Sequence, residues 1–302
     1  MKSTFWLTAL ATTLIFGCGG PDGRPGNGDD DGSGTDGGGG GGDGGGDNCS
    51  DASKLVYLVD SNYDLLKFDP ATKQFTTIGA LNCPNAGTDD TGILPATPFS
   101  MSVDRTPTAW VLYNSGKLFK VNVDTAACEA TSWNGPSNLK AFGMGFSTDV
   151  AGGDAETLYV AGGGSFSDIS TTNSKFASIN TQTLTSFDLG TVNGSPELTG
   201  TGSAELWGFF PTDGTPTVEK IDKTSGAALT TFNEPTLAGQ PAAWAFAFWG
   251  GDFWVFLMKD QETNTKVYQV SGTDGTIKST TNAPGRTIVG AGVSTCAPIV
   301  IL

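Results

Sequence analysis

Histidine is missing from all 302 residues, and cations are scarce, with 16 Lys and Arg against 31 Asp and Glu. Without imidazole, Ser-His-Asp and Cys-His catalysis are excluded, as are His-ligated zinc or haem and the two-His-one-carboxylate iron site. A formal charge of −15 repels a phosphate backbone, so nucleic acid is not an expected partner. The amino-terminal apolar run, Phe5 to Phe16, spans about twelve residues, and a bilayer core needs about 20. Aliphatic side chains are absent from 19–48, where sixteen Gly and seven Asp fill thirty positions. That stretch has too little apolar surface to offset the entropy of ordering and reads as a disordered tether with an rms span of about 30 Å. Gly/Asp repeats can also coil around calcium, but GGGGGGDGGGD lacks the apolar residue each such turn packs on, which favours a solvated stalk.

What is present begins with an address. Lys2 followed by the short apolar run has the proportions of a secretory signal. Ile15-Phe16-Gly17-Cys18 resembles the bacterial lipobox. The resemblance implies a signal peptide over 1–17, cleavage before Cys18, diacylglycerol on its sulfur and acylation of the new amino terminus. Several acyl chains together anchor firmly, at about 0.8 kcal/mol per buried CH₂. Gly19, standing where Asp would retain such a protein at the inner membrane, implies by the same resemblance the outer membrane of the cell envelope. The expected organisation is signal peptide 1–17, lipidated Cys18 and linker 18–48, and one folded unit over 49–302.

Within 49–302 five apolar segments share a central aromatic residue: LVYLVD, AWVLYN, TLYVAG, ELWGFF and DFWVFL. Tyr57, Trp110, Tyr159, Trp207 and Trp254 are spaced by 53, 49, 48 and 47 residues. Each is followed by a strand ending at Asp69, Asn122, Asn180, Asp222 or Ser271, whose side-chain oxygen suits a tight turn. A threonine-rich strand then leaves the turn, as in QFTTIG, LTSFDLG and TIKSTT. A fourth strand, before the aromatic one, alternates small with large residues. Ser100/Ser102, Gly143/Gly145, Gly200/Gly202 and Ala245/Ala247 fall on one face, with Met101/Val103, Phe142/Met144/Phe146 and Phe246/Phe248 on the other. Small residues on one face fit strands crowded around an axis, as in radial arrays of four-stranded sheets. No such strand precedes Tyr57, but Gly290–Thr295 echoes Gly143–Thr148, so the last strand is expected to complete the first blade.

These units predict an all-β fold, a five-bladed β-propeller closed by its C-terminal strand. The chain resembles bacterial propellers with an LYV…DP-T repeat, carried here by TLYVAG and DPATKQF, and is similar to uncharacterised propeller lipoproteins of Gram-negative bacteria. Such repeats speak to fold and little to chemistry.

Four cysteines remain after Cys18, an even number that suggests two disulfides and allows three pairings. Ring closure brings Cys49 towards Cys296, which leaves Cys83 with Cys128. Separations of 34, 45 and 168 do not suit a four-thiolate zinc site, and neither a metal nor a cofactor is expected.

In a propeller, loops leaving the outer strand and loops joining the second and third strands share one end. The long connections fall there: Ala80–Pro98 with Asp89 and Asp90, Trp133 in the next link, Gly162–Ser174 with Phe166 and Asp168, and Trp244 further on. They are candidate ligand-facing residues, since rigid scaffolds display binding groups on such loops; insertion tolerated at a surface would look the same. One aromatic per blade is what inter-sheet packing requires, so the five repeated rings are assigned to core. Propeller glycosidases place carboxylates on inner strands, whereas these strands read as Ser, Gly and Ala, with Asp104, Asp149 and Asp252 at or past strand ends. The functional expectation is a lipid-anchored, non-catalytic binding or scaffold module whose partner is an envelope protein or a glycan. The alternative is a carbohydrate-active hydrolase using loop carboxylates.

Overall fold

The structure, a computed structural model, describes residues 49–166 and 173–300. Cys18, the tether and Asp168 lie outside the described residues.

Turns and loops of varied length divide the chain into short antiparallel strands. β1 (Val56–Asp60), β2 (Asp64–Asp69) and β3 (Gln74–Ala80) belong to blade 1. Blade 2 holds β4 (Pro98–Val103), β5 (Thr108–Tyr113), β6 (Leu118–Asn122) and β7 (Cys128–Ala130). Blade 3 holds β8 (Ala141–Thr148), β9 (Glu156–Gly163), β10 (Ser174–Asn180) and β11 (Thr185–Val192). Blade 4 is β12 (Glu197–Gly200), β13 (Leu206–Phe210), β14 (Thr217–Ile221) and β15 (Ala228–Asn233). Blade 5 is β16 (Pro241–Trp249), β17 (Asp252–Lys259), β18 (Thr265–Ser271) and β19 (Ile277–Ala283). β20 (Ile288–Gly292) joins blade 1 in the order β20-β1-β2-β3. The expected five-bladed propeller, with its first blade completed from the C-terminus, is therefore the fold.

Burial grades outward from the axis. Every residue of β1, β8 and β13 is buried, while the outer β3 and β15 are largely exposed. The core is accordingly five wedges between neighbouring sheets. Leu65, Met101 and Phe119 fill the wedge between blades 1 and 2, and Phe68, Trp254 and Phe256 the one between blades 5 and 1. All five repeated aromatics are buried in these wedges. Their polar ends are satisfied locally: Trp110 Nε1 donates to Asp104 (3.0 Å), Trp207 Nε1 to Glu205 (3.1 Å) and Tyr57 Oη to the Ala52 carbonyl (3.0 Å).

The outer turns repeat one device. Side-chain oxygens of Asp69, Asn122, Asn180, Asp222 and Ser271 accept a backbone N–H two residues on. The residue four places after each has positive φ: Lys73, Ala126, Leu184, Gly226 and Gly275.

At the hub, β4, β8, β12, β16 and β20 contact one another in a closed cycle. A Cβ on Gly143 would lie 2.1 Å from the Pro196 carbonyl oxygen, and one on Gly200 2.1 Å from that of Phe146. Small residues are thus required where backbones meet. The expected pairing Gly200/Gly202 needs correction, because β12 ends at Gly200 and Gly202 lies in the following turn. β20 likewise stops at Gly292, so Val293–Thr295 continues as irregular chain.

Closure is fastened at both ends of the β1–β20 pair, in which Leu58 opposes Ala291. Arg286 donates to Asp60 and Asp64, and to Thr77 Oγ1 at 2.8 Å. Cys49–Cys296 forms at the other end, with Cα atoms 5.7 Å apart. Cys83–Cys128 also forms. Cys83 follows β3, whose far end leans on the turn of blade 2, where a Cβ on Gly79 would sit 3.2 Å from that of Ala126. That lean explains how two residues from nominally opposite ends of their blades meet.

Gly143→Ala and Gly163→Ala form a matched pair, because a Cβ on Gly163 has nothing within 4 Å. We expect Gly143→Ala to cost about 3 kcal/mol, or roughly 10 °C in Tm, and Gly163→Ala to change Tm by less than about 2 °C. Equal shifts in a thermal melt would contradict the crowded hub.

Candidate functional site

The upper end of the ring carries the β3–β4, β7–β8, β9–β10 and β15–β16 connections; Asp89, Asp90, Trp133 and Phe166 fall in them, while Trp244, expected in a connection, lies within β16, and Asp168 is outside the described residues. Their surroundings differ. Asp89 Oδ1 accepts the Thr91 hydroxyl (2.7 Å) and the Ile93 and Leu94 amides, so it holds its own loop, and these bonds lower its pKa. The loop tip this creates exposes Ile93, 78% accessible, and Leu94. Asp90 accepts from Ser165 Oγ at 3.3 Å, tying this loop to that of blade 3. Phe166, beside Ser165, meets Phe99 edge-on at 4.8 Å between ring centroids. Trp133 is buried in the wedge between blades 2 and 3, edge-on to Phe142. Ser165, bonded to Asp90, and Phe99, packed on Phe166, line one opening together with Trp244, whereas Trp133 packs in the wedge between blades 2 and 3.

That opening is a pocket at the upper mouth of the axis, with an interior of about 20 Å³. Phe99, Phe142, Gly143, Gly162, Glu197 and Trp244 line it. Gly143 and Gly162 leave no room for side chains: a Cβ on Gly162 would lie 1.9 Å from the Ala141 carbonyl oxygen.

Glu197 opens β12 and is only 3% accessible. This corrects the reading of the inner strands as free of carboxyls; that reading set the blade 4 strand three residues late, at Gly200. The carboxyl spans three blades. Its Oε2 accepts the Ser100 hydroxyl of β4 at 2.8 Å, and the Met144 amide of β8 also bonds to it. Burial holds its pKa well above the usual carboxylate range, and these two hydrogen bonds only partly oppose the rise.

The acids expected near strand ends are absorbed by structure. Asp104 accepts two turn amides and the Trp110 indole, Asp149 the Thr157 hydroxyl, and Asp252 binds Lys278 and Gln269. Around them the lower end holds a cluster that local spacing did not reveal. The Arg105 amide donates to Glu156 Oε1 (2.8 Å), Thr295 Oγ1 to Glu156 Oε2 (2.7 Å), and the Arg105 guanidinium to Thr295 and Asp154. Blades 1, 2 and 3 are joined there, 3.5 Å from Cys49 Sγ. Burial pushes Glu156 up to about 7 against these lowering bonds, and burial also pushes Glu234 up to about 7. Among the described residues, no group of three or more Cys, Asp or Glu side chains is arranged to hold a metal ion.

A carboxyl raised on folding stabilises fully below its unfolded value near 4.5 and loses that contribution as pH climbs through about 7. Asp69 and Asp222, whose hydroxyl and amide partners lower their pKa, act oppositely and lose theirs as pH falls below about 3.8. Stability should therefore peak near pH 5 and fall by about 2–3 kcal/mol from Glu156 alone by pH 8. Glu156→Gln should flatten that alkaline limb in thermal melts across pH 3–9. A limb unchanged by the substitution would contradict the assignment.

No family model and no curated protein matches the chain. Among solved structures, it is similar to the Dos1 propeller, at 14% identity and TM-score 0.42, over 78% of this chain and 57% of that one. It therefore spans little more than half the length of that relative. A protein from Lactobacillus plantarum matches at 14% identity and TM-score 0.44, over 80% of this chain and 72% of that one. The propeller architecture itself rests on the strand order of this chain.

Proposed function

We propose that the chain is a lipid-anchored, non-catalytic binding module of the bacterial cell envelope, held through Cys18 at the outer membrane and presenting its upper end to a ligand. The observation that carries this reading is the opposition of the two ends. The long connections and the axial pocket occupy one end, and Cys49, where the tether segment meets the ring, is fastened to Cys296 at the other. The chain thus enters the described ring at the end away from the long connections. Two disulfides fit an oxidising compartment, and among the described residues no helix is long and apolar enough to cross a membrane. An envelope protein or glycan is the partner this address favours.

The hydrolase alternative finds no favouring observation. Glycoside hydrolysis uses two carboxyls flanking the bond, and among the described residues the pocket lining supplies Glu197 alone. Asp89 is engaged in its own turn, and Asp90 with Ser165.

Cys18→Ser should move the protein from the membrane fraction to the soluble fraction in a cell fractionation. Undiminished membrane association would overturn the anchor. The wild type should release no sugar from a polysaccharide panel; release abolished by Asp90→Asn with unchanged Tm would replace the binding reading with the hydrolytic one.

A further inference from the structure

We propose that the axial pocket at the upper end binds a protonated primary amine on a slender tail, its ammonium head seated against Glu197 between the rings that line the mouth. This deepens the reading of that end as ligand-binding and rests on it. The first argument is charge. Among the described residues Glu197 is the sole ionisable one lining the pocket, and the interactions it makes come from a hydroxyl, an amide and burial, with no cation among them. The strands that face it contribute Ser100 and Met144 from β4 and β8, and Trp244 from β16, none of them charged. Among the described residues, charged groups next to the lining include Asp90, bonded to Ser165, and exposed Lys140, adjacent in sequence to Ala141. A buried carboxyl without a counter-charge costs free energy to ionise, and a ligand cation removes that cost.

The second argument is shape. An interior of about 20 Å³ holds one water-sized group, which suits –NH₃⁺ and excludes a trimethylated head. Phe99, Phe142 and Trp244 line it, and an aromatic face attracts an organic cation. A hard metal ion would want several oxygen ligands, and the described lining offers one carboxyl. The third argument is the field of the whole molecule, which at −15 concentrates cations and repels anions.

Binding carries a proton balance. Where Glu197 is protonated in the free protein, the incoming ammonium leaves the amine intact and drives one proton from the Glu197 carboxyl to buffer, giving a carboxylate–ammonium pair. Ser100 and the Met144 amide remain as donors to the carboxylate.

The test is calorimetric titration of the purified full-length protein with butylammonium chloride, in two buffers of different ionisation enthalpy, with tetramethylammonium and butanol as comparison probes. Butylammonium should bind about tenfold or more tightly than either, with a proton release that diminishes as the pH is raised. Glu197→Gln keeps the shape and the Ser100 contact, so it should fold with an unchanged melt at pH 5, weaken butylammonium by about tenfold and abolish proton release. Trp244→Ala should weaken binding without altering the proton count. Butylammonium binding no tighter than butanol, or unaffected by Glu197→Gln, overturns the proposal. If amines fail while an immobilised glycan binds wild type and Glu197→Gln alike, the amine is wrong and the upper end stands as a binding surface. If neither binds, both fail.

Discussion

Five sheets bring five inner edges to one axis, and an edge strand carries backbone amides and carbonyls with no further strand to pair with. Buried, those groups must be satisfied in another way. Here neighbouring inner strands lend side-chain oxygens: Ser102 Oγ accepts the Phe146 amide at 3.1 Å, Glu197 accepts that of Met144, and Thr199 Oγ1 accepts that of Phe248 at 3.1 Å. The donors and acceptors reach each other only because glycines let the backbones close to contact. Small size and polarity at the hub are thus one requirement, and the alternation of small with large residues along each inner strand follows from it. The large faces fill the wedges between blades; the small faces meet at the axis.

An open ring would leave two such edges unsatisfied, so everything depends on β20 reaching β1. The pair is fastened where it would otherwise fray. At the upper end Asp60 is fully buried, and Arg286 supplies its counter-charge while bridging to Asp64 and Thr77. Removing one partner of such a pair costs about 3–5 kcal/mol, because a buried charge is left alone. At the lower end Cys49–Cys296 closes a loop of 247 residues, for which chain entropy alone gives about 5 kcal/mol. The Arg105–Glu156–Thr295 cluster lies against it, so the clasp is packed as well as covalent.

Much of this was legible in the chain because it repeats. The period of the aromatics, the Asx and Ser turns and the echo of Gly143–Thr148 in Gly290–Thr295 each report a local pattern copied five times, and a copy leaves a spacing. The cysteine pairing followed from ring closure. What stayed hidden does not repeat. Ser100 and Glu197 are 97 residues apart, and Arg286 lies 226 from Asp60, so no window of sequence contains both partners. Glu197 did carry a weak signal, an acid three residues before Gly200 in a strand position otherwise given to small residues. Blade 2's outer strand, reduced to Cys128–Ala130, was also unmarked; its first residue is tied to Cys83, 45 positions away.

The site inherits its character from the hub. A carboxyl placed to satisfy the Met144 amide becomes, at the upper mouth, an uncompensated acid in a small aromatic pocket, while the clasp keeps the opposite end committed to structure. Native-state amide hydrogen exchange of the oxidised protein tests the underlying closure most directly. The account predicts that the amides of β1 and β20, Leu58 and Ala291 among them, exchange only with global unfolding, together with those of β8 and β16. Fast exchange of residues 288–292 while the other blades stay protected would contradict it.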